Sequence, residues 1–144
     1  MTLTREAKLV AGITLLTIPT VQYGGLTILG MLTQGGAGTG SGHSALTATQ
    51  LAWFRAGHAH AGVWLLLSLI IQVLLDSAKL SAAWKWLARI AAPLGTVALS
   101  GGFFGFAFKP EFRFLLYFGA TAMFIAVVLT GVGLLRNPKS ADQA

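Results

Sequence analysis

The chain has no cysteine, few acidic residues and little charge of either sign. Without cysteine sulfur there are no disulfides, iron–sulfur clusters, thiolate zinc sites or thiol–disulfide redox chemistry. Charged residues make up 10% of the sequence, against about 25% in an ordinary soluble domain. With 55% of residues hydrophobic, the charged shell of a water-soluble fold cannot be assembled. The formal net charge is +6, but the basic residues form no continuous stripe and carry no aromatic stacking platform among them, which argues against nucleic acid as a partner. A lipid bilayer is the partner that fits.

What is present is length in apolar runs. Crossing a hydrocarbon core takes about 20 apolar residues per helix. Stretches 7–32, 54–75, 86–108 and 112–135 meet that requirement, so the expected fold is all-α, a single membrane domain over 1–144 built as a bundle of four transmembrane helices. Between the first two spans lies a glycine-rich, uncharged outer loop, 33–50, unsuited to regular structure. Lysine and arginine concentrate on the cytoplasmic side of membrane proteins. With both termini cytoplasmic, Arg5, Lys8, Lys79, Lys85, Arg89, Arg136 and Lys139 lie inside and only Arg55, Lys109 and Arg113 outside. The expected location is the inner (plasma) membrane of a bacterium. The first apolar run is too long for a signal-peptide core and is interrupted by Pro19, Gln22 and Tyr23, so it reads as a retained helix kinked at the proline.

Lipid gives helices little hydrophobic reason to associate, and small residues that permit close approach take over that role. Gly101 and Gly105, four apart in the third span, are the leading pair, with Gly12, Gly24, Gly25, Gly30, Gly119, Gly131 and Gly133 as further contact points. Polar residues at depth need partners. Gln22, Tyr23 and Gln72 are the candidates, either as interhelical hydrogen-bonding groups or as the lining of a polar cavity. No acid lies well inside a span, since Asp76 and Glu111 stand at span ends, which disfavours proton-coupled transport of the kind that small multidrug antiporters run on an embedded glutamate. The stretch 109–113 reads as a tight outer turn, with Pro110 at a helix start.

The one concentrated chemical signal is Gly57-His58-Ala59-His60-Ala61-Gly62, at the start of the second span. Imidazole ligates transition metals and haem iron while neutral, which suits a low-dielectric site. At about 100° of turn per residue, positions two apart face opposite sides of a helix, about 200° apart. His58 and His60 therefore serve two flanks rather than one bidentate site, with small neighbours leaving room beside each ring. His43, the remaining histidine, ends the glycine-rich loop and would complete a metal site with either if the loop folds back. The alternative is that the histidines only form hydrogen bonds near the interface.

This run resembles the His-x-His helix of subunit I of the haem-copper oxidases, the cbb3-type and nitric-oxide-reductase branches above all. The resemblance implies that His58 is the proximal ligand of one haem and His60 a ligand of another. Family members have twelve core helices arranged as three similar arcs of four, which implies a homotrimer for a four-helix chain, or a place in a larger membrane complex. The expected function is a small haem- or copper-binding membrane subunit suited to redox chemistry. The alternatives are a non-enzymatic assembly subunit and a small-solute pore or carrier, the last requiring Gln22 and Gln72 to line a common cavity.

Overall fold

The computed structural model describes residues 2–33 and 46–136. Among these residues the fold is entirely helical: α1 (Arg5–Leu16), α2 (Ile18–Thr33), α3 (Ala48–Ser77), α4 (Ala82–Phe106), a single 3₁₀ turn (Pro110–Phe112) and α5 (Arg113–Leu135). Arg5–Thr33, Ala48–Ser77, Ala82–Phe106 and Pro110–Leu135 are long and apolar enough to cross a membrane. The expected helical bundle of four such segments is present, and its boundaries differ from the hydropathy reading at informative places.

The first span is two helices rather than one bent helix, and it breaks at Thr17, ahead of Pro19. A proline ring clashes with the carbonyl four residues before it, so the helix yields in the preceding turn. Pro19 then sits in the first turn of α2, where a missing N–H costs little. The second span starts at Ala48 instead of near 54 because Thr47 and Gln50 form a capping box. The Thr47 hydroxyl accepts from the Gln50 N–H at 3.2 Å and the Thr47 N–H donates to Gln50 Oε1 at 2.9 Å. A cap of this kind satisfies backbone donors that apolar periodicity cannot register. The expected loop 33–50 is shortened accordingly, and its glycine-rich part lies outside the described residues.

The helix α4 is central. Half of its most apolar window is buried, against 6% for the first span. The core lies toward the Asp76 end, where Ile71 and Leu75 of α3, Ala88, Ala91 and Ala92 of α4, and Met123 and Ala126 of α5 meet. The α4–α5 seam does not use Gly101, which has only the tip of Leu115 nearby, at 3.9 Å from a Cβ built on it. It uses Gly95, Gly102 and Gly119: a Cβ on Gly95 would stand 2.9 Å from the Met123 backbone nitrogen, and one on Gly102 would stand 2.8 Å from that of Leu116. Gly105 is instead covered by the Phe112 ring.

Pro93 lies within α4, and the helix continues through it. A proline there leaves the carbonyl of residue 89 without its usual donor, and a transmembrane helix tolerates this when a neighbour supplies one. Gln72 on α3 does so: its Nε2 donates to the Arg89 carbonyl at 3.1 Å, while Arg89 Nη1 donates back to the Gln72 carbonyl at 3.1 Å and Oε1 at 3.4 Å. Gln72 is 0% exposed, so it is an interhelical hydrogen-bonding residue and lines no cavity with Gln22. Replacing Gln72 with Leu is expected to lower stability in detergent by about 2 kcal/mol, because buried polar groups on α4 lose their partner. Adding Pro93→Ala should recover part of that loss, since a residue with an N–H can reclaim the carbonyl. An unchanged melting temperature in Gln72→Leu, or no recovery in the double variant, would contradict this account.

Candidate functional site

The helix α3 carries His58 and His60 on opposite flanks, as the spacing predicts, and the two rings have different surroundings. His60 Nδ1 lies 2.8 Å from the Ala56 carbonyl. A carbonyl only accepts, so Nδ1 is the donor in this contact. The His60 ring packs against Phe103 of α4, with centroids 4.6 Å apart. Beside it Trp53 stacks on Phe103 and meets Phe106 edge-on, while Phe54 contacts Phe104 and Phe108. This aromatic cluster closes α3 onto α4 at the His58 end. Gly57 permits the approach, because a Cβ there would come within 2.9 Å of the Phe104 ring.

His58 faces α2. Its ring rests on the backbone of Gly24 and Gly25, where a Cβ on Gly25 would stand 2.9 Å from Nε2 and 3.0 Å from Cε1. The imidazole is half-buried and has no hydrogen-bond partner among the described residues. Clefts open on either side of it. One, of about 470 Å³, lies between α2 and α3 and is largely apolar, with Val21, Gln22, Ala59, Gly62 and Leu66 among its walls. The other, of about 340 Å³, lies between α2, α3 and α4 and is bordered by Thr17, Thr20, Thr96 and Ser100.

The remaining sequence candidates do not converge here. Tyr23, 73% exposed, borders neither cleft. Gln72 is at the far end of α3. His43 lies outside the described residues. Among the described residues no three His, Asp or Glu side chains gather as a metal-binding group. Thr96 and Ser100 escape a reading based on charge and histidine. Their spacing of four, which puts two hydroxyls on one face of the third span, is the signal that would have found them.

A second polar constellation lies at the other end of the bundle. Arg89, 3% exposed, pairs with Asp76 at the end of α3 and donates to Thr4 Oγ1 at 3.3 Å. Thr4 in turn donates to Asp76 through its N–H and its hydroxyl, each at 2.9 Å. Thr4 also caps α1, its hydroxyl accepting from the Ala7 N–H at 3.2 Å. Arg89, which by sequence stands among the cytoplasmic basic residues, is therefore a buried clamp joining the start of α1 to α3 and α4.

The chain matches no protein-family model, no curated protein and no solved structure.

Proposed function

We propose that the chain is a haem-binding subunit of a bacterial plasma membrane, with His58 as the axial ligand. The observation that carries this reading is a half-buried imidazole within an apolar helix, beside an apolar cleft, without a hydrogen-bond partner among the described residues. An unsatisfied polar group in a low-dielectric setting is costly and calls for a ligand. The donor count favours haem over a bare copper ion. Haem brings its own equatorial nitrogens and asks the protein for one or two axial ligands, whereas copper would need several protein ligands close together. Small residues at Ala59 and Gly62 leave room for a planar group beside the ring. When bound, such a group supplies one-electron chemistry. His58 would hold the group, with the largely apolar walls of the α2–α3 cleft beside it.

Two further parts of the reading concern setting. Arg5, Lys8, Lys79, Lys85 and Arg136 are at the Asp76 end, which supports a cytoplasmic placement of that end, and with it of both termini, under the positive-inside tendency. The first span buries little of itself, and a homotrimer or a larger membrane complex would cover it.

Purified protein is expected to show a Soret band that His58→Ala abolishes and His60→Ala preserves, in a particle heavier than one chain. Colourless wild-type protein that binds no added haemin would overturn the haem reading. The close fit of the ring on Gly25 supports a second reading, in which His58 is a packing knob holding α2 to α3 in a non-enzymatic assembly subunit. In that case His58→Ala would loosen the first span without any spectral change.

A further inference from the structure

We infer that the cleft on the α4 side of His58 is a hydrated site, holding water molecules within the membrane-spanning part of the bundle. The inference is independent of haem.

The donor and acceptor inventory leads to it. Thr17 Oγ1 donates to the Thr14 carbonyl at 2.6 Å, Thr20 Oγ1 to the Thr17 carbonyl at 2.6 Å, and Thr96 Oγ1 to the Ala92 carbonyl at 3.0 Å. Each hydroxyl has one proton, so all three present only lone pairs to the cleft they border. Ser100 borders it too. Its residue is 6% exposed, and its hydroxyl oxygen is fully buried behind the wall with no hydrogen-bond partner among the described residues. His58 adds a ring nitrogen without a partner. A lipid chain in this space would leave the ring nitrogen without a partner, at a cost the hydrogen-bonded threonines do not carry. Water carries two donors per molecule and suits the few acceptors that punctuate an otherwise apolar wall, and about 340 Å³ has room for it.

The backbone points the same way. The break between α1 and α2 falls at Thr17, which borders the cleft. Irregular backbone at membrane depth is tolerated where it is buried in protein or lines a water-filled space. Both clefts beside His58 have largely apolar walls, and the one on the α4 side adds hydroxyl residues from α2, α4 and the Thr17 break. Water there gives one ring nitrogen of the imidazole a partner and leaves the other open toward the α2–α3 cleft.

The absence of cysteine makes the test direct, because a single introduced thiol is the only one in the chain. Ser100→Cys and Thr96→Cys are placed in the full-length protein in nanodiscs and treated with a small water-soluble methanethiosulfonate. Phe118→Cys serves as the apolar control at the same level of the bundle, a level fixed by the approach of Gly119 to Leu99. A thiol reacts as thiolate, which forms where water reaches it, so both cleft cysteines are expected to react about tenfold faster than the control, or more. The use of two sites guards against one variant misfolding, and each is accepted only if it elutes with the parent protein. If both well-folded variants react no faster than Phe118→Cys, the cleft is dry and the inference is wrong.

Discussion

Arg89→Ala is expected to lower the stability of the bundle by about 3–5 kcal/mol, the range seen when one partner of a buried ion pair is removed. For a chain of this size that corresponds to a fall in melting temperature of roughly 10 °C. The guanidinium binds Asp76, the Thr4 hydroxyl, and the Gln72 carbonyl and amide oxygens. Its loss leaves the Asp76 carboxylate in a nearly closed site with only Thr4 as donor. Arg89→Lys should recover little, because an ammonium is a compact point charge and cannot reproduce the planar fork that spans these acceptors. Replacing both charges, Asp76→Leu with Arg89→Leu, removes the uncompensated carboxylate and should be milder than Arg89→Ala alone. Thermal unfolding in detergent measures all three. A melting temperature for Arg89→Ala within about 2 °C of wild type would show that the clamp contributes little. The expected damage is also local in a useful way: Thr4 ties the start of α1 into this network, so the first span should become the most protease-sensitive part of the chain.

How much of this was legible in the sequence follows from what periodicity and charge can register. Four apolar stretches were readable because length and composition alone identify helices able to cross a membrane. The opposite flanks of His58 and His60 were readable because 3.6 residues per turn fixes the angle between neighbours. The start of α3 was not, since Thr47 and Gln50 act through two hydrogen bonds and add nothing to hydropathy. The partnership of Gln72 with the carbonyl freed by Pro93 joins residues on different helices. Each half is visible in the sequence, and only the fold joins them. The same holds for Arg89. Its position near a span end, among other basic residues, reads as a solvated interfacial charge, and burial turns it into a structural ion pair. Of the candidate site, the histidines stand out by residue type. Gly25 under the His58 ring and the hydroxyls beyond it depend on which faces of α2 and α4 turn inward, and the glycines alone do not decide that.

Those inward faces depend most on the α4–α5 seam, and Gly119→Leu should disrupt it. A Cβ on Gly119 would stand 2.7 Å from the Leu99 Cα and 2.9 Å from the Gly95 carbonyl oxygen. These atoms are backbone, so no rotamer change can make room and the helices must separate. Overpacking of a core typically costs 1–3 kcal/mol and sometimes more, and a rigid backbone contact places this case at about 3 kcal/mol or above. Gly131→Leu is the matched control on the same helix. Nothing lies within 4 Å of a Cβ there, and a residue with better helix propensity than glycine should leave stability unchanged or slightly raised. The contrast between two identical substitutions separates helix–helix approach from any general effect of adding leucine to a lipid-facing span. It also bears on the site. The helix α4 carries Phe103 against His60 and both Thr96 and Ser100 at the cleft, so displacing α4 moves one wall of the His58 surroundings while leaving α3 intact. In the Gly119→Leu background, the reactivity of a cysteine at position 100 should therefore change together with stability. Equal melting temperatures for Gly119→Leu and Gly131→Leu would mean that the seam is not held by this close approach.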